Sequence, residues 1–168
     1  MERFNILACE MAADEGDPPG YRSAAARFGP QLGASRLGAS VYELPPGQEI
    51  CPYHYEAGDE EFLIVIEGRP TVRHPGGVDV LDPGDAVCFV EGPDGAHQVR
   101  NDSEERVRVL MFSTLRYPAV AVYPDSDKLG VFTRGEESLR LLFRRGDAVD
   151  YWDGETGSKP ATGEVVQE

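Results

Sequence analysis

From Leu37 onward the chain breaks into short apolar stretches, each closed by a turn. LGASVYEL (37–44) ends at Pro45-Pro46-Gly47 and has the residue types of a strand. Phe62-Leu63-Ile64-Val65-Ile66 is a continuous apolar run between acidic residues and Gly68. A strand packed on both faces reads this way, and five residues are too few for a typical helix. RPTVRH (69–74) meets Pro75-Gly76-Gly77, and VDVL (78–81) follows, which predicts a hairpin. Asp82-Pro83-Gly84-Asp85 is a turn signature, followed by AVCFV (86–90), the loop EGPDG (91–95) and AHQVRN (96–101). VRVLMFS (107–113) alternates, with Val107, Val109 and Met111 on one side. Short strands with turn signals every 8–12 residues or so predict a sandwich or barrel.

On either side of this region the pattern loosens. Residues 10–35 are rich in Asp, Gly, Pro and Ala, and only YRSAAARF (21–28) offers a helical turn, so 1–35 reads as an N-terminal arm. After residue 114, AVAVYP (119–124) and LRLLF (139–143) read as strands or short helices that cover the barrel. The resulting organisation is an arm (1–35), a barrel (36–114), an extension packed on the barrel or a partner subunit (115–155), and a mobile tail (156–168). Tyr151 and Trp152 are expected to close the barrel mouth or to pack on a second subunit.

Composition narrows the classes of function. The 168 residues suit one domain, and 30 acidic residues against 16 basic give a net charge of −14. That surface repels phosphate backbones and anionic lipid, so no nucleic-acid or membrane partner is expected. No stretch approaches the ~18 apolar residues of a membrane span. The opening MERFNILACEMAADEGD lacks both a basic start and an apolar run, so no secretory leader is expected. Cys9, Cys51 and Cys88 form no C-x-x-C pair, which fits a reduced, cytoplasmic protein. Cys51 and Cys88 read as small buried hydrophobes.

The chemistry concentrates around His54 and His97; the third histidine, His74, sits beside Pro75-Gly76-Gly77 in a turn. On a strand His54 and Glu56 project to one side, and Glu61 shares a face with Leu63 and Val65. A hairpin can therefore gather His54, Glu56 and Glu61. His97 opens a later strand after a glycine-rich loop. Imidazoles and carboxylates that converge suit a divalent cation.

The run Gly47, His54-x-Glu56, Glu61, Gly68 and the later run Gly84, Gly92, His97, Asn101 resemble the two motifs of the cupin family. The resemblance covers about residues 36–114 and implies a double-stranded β-helix, the cupin jelly-roll barrel, which is all-β. It also implies that His54, Glu56, Glu61 and His97 hold one divalent metal ion. Three departures mark this chain: Glu56 replaces the second histidine of the first motif, the first spacer of that motif is one residue longer, and the second motif lacks its proline and has two extra residues.

If Glu56 binds, two carboxylates neutralise the ion; if it turns away, a two-histidine, one-carboxylate triad remains with open positions. Fe or Mn is favoured on either set, with Zn or Ni as alternatives. The implied partners are a small-molecule ligand inside the barrel and a second copy of the chain, as a homodimer. Two classes of function follow. One is a metal-dependent enzyme acting on a small polar metabolite, by dioxygenase-like oxidation or sugar-type isomerisation. The other is a non-catalytic metal or small-ligand binding or sensor module. Glu60 and Tyr53 are the candidates for moving protons, from proximity alone.

Overall fold

The structure, a computed structural model, describes residues 1–13, 15–135 and 138–157. Its strands are β1 (Ala12–Ala13), β2 (Ala24–Arg27), β3 (Leu37–Leu44), β4 (Tyr55–Glu56), β5 (Glu61–Glu67), β6 (Thr71–His74), β7 (Gly77–Val80), β8 (Ala86–Phe89), β9 (Gln98–Arg100), β10 (Val107–Thr114), β11 (Ala119–Tyr123), β12 (Lys128–Phe132) and β13 (Arg140–Arg144). A six-stranded sheet in the order β1-β2-β3-β10-β5-β8 is joined by two smaller sheets, β13-β12-β11-β4 and β7-β6-β9. Only 3₁₀ turns interrupt the strands among the described residues. The fold is all-β and antiparallel, as the turn spacing predicts.

Alternation along the strands divides the apolar residues between two clusters. Leu44 of β3, Leu63 and Val65 of β5, and Val107, Val109 and Met111 of β10 point inward, where they meet Val72, Phe89 and Val99. Each such side chain contributes roughly 1.5–3 kcal/mol by leaving water. The opposite face of the large sheet presents Ala39, Val41 and Leu110. The N-terminal segment covers that face with Phe4, Ile6 and Met11, and Phe4 stacks on Phe28 at 4.7 Å. Buried Arg108 ties the segment down by donating to the carbonyls of Ile6 and Leu7. The continuous run in β5 thus packs on both faces: Leu63 and Val65 go inward, Ile64 and Ile66 outward.

Cross-strand register gives the interior two different ends. In one row Val109 lies between Val65 and Tyr42, and Tyr42 is opposite Ala25. The next row runs Leu63, Met111, Ser40, Arg27, and the one after it Glu61, Ser113, Gly38. The lining therefore passes from aliphatic to hydroxyl-bearing and charged within a few residues of each strand.

Several expectations change. Residues 24–27 form a strand instead of a helical turn, because pairing with β3 outweighs the helix propensity of three alanines. Residues 119–123 and 140–144 are strands, and β12, absent from the sequence reading, joins them in one sheet. Cys88 is exposed instead of being in the core: β8 is an edge strand, and only Val87 and Phe89 turn toward the interior. Tyr151 and Trp152 do not close the barrel mouth. Their rings pack edge-on against each other at 4.7 Å and remain 82% and 70% exposed. The tail expected to be mobile falls outside the described residues from 158 onward.

Gly68 shows why the first motif ends in glycine. Its φ is 74°, and a Cβ there would collide with the Arg106 carbonyl oxygen. Only glycine accepts both conditions cheaply.

Candidate metal centre

Backbone pairing brings the two motifs together. Residues 47–54 run antiparallel to 97–101: the Gly47 N–H donates to Asn101, Ile50 to Val99, and His54 and His97 exchange both of their backbone hydrogen bonds. Asn101 fixes this loop region, donating to the Leu44 and Glu105 carbonyls and accepting from Ser103. The side chains of His54 and His97 therefore emerge from neighbouring positions on paired strands, with ring centroids 4.8 Å apart.

Each imidazole is oriented by a carbonyl. His54 Nδ1 lies 3.0 Å from the Pro52 oxygen, and His97 Nδ1 lies 2.9 Å from the Gly95 oxygen. A carbonyl only accepts, so Nδ1 carries the proton in both rings and each Nε2 keeps its lone pair. Phe89 stacks on His97 at 3.6 Å and fixes its plane. Gly95 is indispensable here, because a Cβ would run into the Val90 oxygen and push the loop away. Burial lowers the pKa of both histidines, that of His97 to about 3, with the neighbouring His54 adding to the effect. Both are neutral donors at ordinary pH.

Glu61 completes the cluster. Its Oε2 lies 3.7 Å from His54 Nε2 and 3.3 Å from His97 Nε2. Two ligands on an ion at about 2.1 Å are roughly 3–3.4 Å apart, so the 3.3 Å spacing matches a shared cation and the 3.7 Å one is a few tenths of an ångström wider. Glu61 Oε2 and His97 Nε2 are buried and lack a hydrogen-bond partner among the described residues. Orphaned acceptors of this kind are costly in an interior unless an ion or donor sits between them. Burial, followed by the charges of Glu56 and Asp59, pushes the Glu61 carboxyl up to about 7. His54, Glu61 and His97 thus form a cluster able to hold a metal ion.

Glu56 stands beside this cluster and outside it. Its Oε1 is 3.9 Å from His54 Nε2, and burial with the Asp59 charge raises its carboxyl to about 7. Cys51 also lies alongside, with its thiol 3.5 Å from His54 Nδ1 and pushed well up by burial. It faces the protonated nitrogen of the ring.

A cavity of about 860 Å³ opens onto His54 and Glu61. Neither Glu60 nor Tyr53, the expected proton carriers, lines it. Glu60 is exposed, because it precedes β5 and points opposite to Glu61. Tyr53 is buried under Arg73, whose guanidinium lies 3.9 Å above its ring and is held by both Asp125 oxygens. Tyr42, Ser40, Ser113, Arg27 and Arg140 line the cavity instead. The alternation of LGASVYEL already puts Ser40 and Tyr42 on the face of Leu44, which is the signal that reveals them.

Residues 40–113 match the cupin domain family. A solved structure of a candidate sugar phosphate isomerase from Acidithiobacillus ferrooxidans is 26% identical with a TM-score of 0.70, over 79% of this chain and 82% of that one. A cupin-superfamily sugar phosphate isomerase from Silicibacter pomeroyi gives 23% identity and a TM-score of 0.74, over 90% and 98%. A polyketide cyclase from Streptomyces resistomycificus gives 22% and 0.57, over 71% and 83%. No curated protein matches the chain. The match to the cupin domain family over residues 40–113 spans the inner strands, Gly68 and the backbone pairing that joins His54 to His97.

Proposed function

We propose that this chain is a metal-dependent enzyme acting on a small polar metabolite, with sugar-type isomerisation as its chemistry. The observation that carries the reading is the pair of orphaned buried acceptors, Glu61 Oε2 and His97 Nε2, which converge with His54 beside a cavity large enough for such a metabolite. The similarity to the Acidithiobacillus protein supports the isomerase arm. A divalent ion held by His54, Glu61 and His97 would polarise a substrate carbonyl or hydroxyl. Aldose–ketose interconversion moves one proton from carbon to carbon and needs no external oxidant, so the chain must supply a group that gives and takes it. Glu56 does not line the cavity, but its Oε1 lies 3.9 Å from His54 Nε2, and that proximity supports it as the group that does so.

One observation favours a second reading. With Glu56 outside, the three donors are a two-histidine, one-carboxylate set, the arrangement used with Fe(II) and O₂. The binding-module alternative shares the same metal and lacks turnover.

The test begins with elemental analysis of protein purified without added metal, alongside His97→Ala. Near-stoichiometric Fe, Mn, Zn or Ni in the parent and none in the variant is expected. If neither holds metal and added Fe, Mn, Zn or Ni leaves melting unchanged, the metal reading is lost. Metal-loaded protein is then incubated in ²H₂O with pentose and hexose phosphates and followed by NMR. Deuterium entering the carbon next to the carbonyl supports isomerisation, and turnover only with O₂ moves the assignment to the second reading. Bound metal without turnover leaves the binding module.

A further inference from the structure

In a chain with 30 acidic and 16 basic residues, half of the arginines still lack a described carboxylate within ion-pair distance. Arg69, Arg73, Arg100, Arg106, Arg108, Arg116 and Arg145 all have one within ion-pair distance. Arg27 and Arg140, like Arg3, Arg22, Arg36, Arg134 and Arg144, have no described carboxylate within ion-pair distance, and of these only Arg27 and Arg140 line the cavity that contains His54 and Glu61. They come from opposite additions to the barrel, β2 and β13. Each stands one tyrosine away from the candidate metal ligands. Arg27 acts on the hydroxyl of Tyr42, a group that also feels Glu61. The charge of Arg140 acts on Tyr123, whose ring stacks on His54 at 5.9 Å.

The wall between them is polar where a barrel interior would ordinarily be aliphatic. Arg27 and Ser40 are cross-strand neighbours, and Ser113 lies between Gly38 and Glu61. The Ser113 hydroxyl occupies the space over Gly38 where a Cβ would otherwise stand. Glu15 and Asp17 also line the cavity, so the anion would have to be held at the arginines and not by the cavity's overall charge.

We infer that this cavity selects a hydroxylated anion, whose phosphate or carboxylate is held by Arg27 and Arg140 while its hydroxyls meet Tyr42, Ser40 and Ser113. Guanidinium forks match both kinds of oxyanion. This deepens the proposed function, since it names the charge and the hydroxyl content of the metabolite that would reach the metal. With a net charge of −14 the protein repels anions in general, so anion binding has to come from a local site.

The test uses full-length, metal-loaded protein and calorimetry with three probes: ribose 5-phosphate, gluconate and ribose. At least one of the two anions is expected to bind ten-fold or more tightly than ribose, and which one does so separates phosphate from carboxylate recognition. Arg27→Gln and Arg140→Gln should each weaken that probe about ten-fold with metal content unchanged, and the double variant should lose it. Arg27→Lys and Arg140→Lys keep the charge and should fall between parent and Gln variants. Equal binding of ribose and both anions, or Gln variants that bind like the parent, overturns the inference. Titration of the metal-free protein keeps the two proposals apart. Arginine-dependent anion binding in a chain that never takes up metal would retain this site and remove the metal enzyme. A metal-loaded chain indifferent to all three probes would do the reverse.

Discussion

The two ends of the barrel interior are built on the same strands and do opposite things. At one end Leu44, Val65, Val107 and Val109 fill space with side chains that need no partner. At the other, one or two pairs further along each strand, Glu61 and His97 present buried acceptors to one another. The first arrangement stabilises the fold whatever the cavity contains. The second costs stability until a cation or ligand arrives. Stability and binding are therefore separable along single strands, and the inward row of β5 makes the change between Glu61 and Leu63.

The largest effect should follow from the apolar end. Leu63→Ala opens a hole at a fully buried position and should cost about 2–5 kcal/mol in urea unfolding. Elemental analysis of the folded variant should still find the parent's metal content. Loss of metal along with stability would show that the two ends are not separable.

Glu61→Gln should act in the opposite direction. The Glu61 carboxyl is raised from 4.5 to about 7, so its contribution to the metal-free fold is present below the unfolded value and lost as pH rises through the folded one. Metal-free Glu61→Gln should consequently exceed the parent by roughly 1–3 kcal/mol at pH 8, with the advantage shrinking toward pH 4.5. It should show no metal-induced rise in melting temperature. His97 works against this trend: its depressed pKa gives stability that is present above 6.5 and lost as pH falls toward 3. A variant no more stable than the parent at pH 8 would mean that the polar end is not a strained one.

The smallest effect belongs to the wall of the polar end. Ser113→Ala deletes one hydroxyl over Gly38 and should move the melting temperature by no more than a few degrees. It should weaken the bound anion about three-fold in the same calorimetry. A large fall in stability would make Ser113 part of the packing instead.

Much of the apolar end is legible in the sequence. LGASVYEL coincides with β3, and the alternation of Val107, Val109 and Met111 is that of the inner face. His54, Glu61 and His97 are legible because ligand chemistry limits which residues can serve, and the motif glycines mark where the backbone must turn. What stays hidden depends on long-range register. Arg27 reaches the cavity only because β2 pairs with β3, and AAAR carries no local sign of that pairing. Arg140 depends on a sheet that includes the unanticipated β12. Glu60 and Tyr53 are near the ligands along the chain, but alternation turns the first outward and Arg73 covers the second. Cys88 reads as internal because a strand's apolar residues do not reveal that one face lies at a sheet edge.

The strand β13 leaves Leu141, Leu142 and Phe143 exposed at the edge of its sheet. Edges of that composition invite other chains to add on, and charged residues at the ends of the strand act as gatekeepers. Arg140 and Arg144 occupy those ends, so Arg140 has a solubility duty apart from any ligand. Light scattering from concentrated Arg140→Gln should rise above that of Arg140→Lys, whereas the Arg27 pair should not differ. A protein whose edge strand borrows a residue from its cavity cannot vary the two independently.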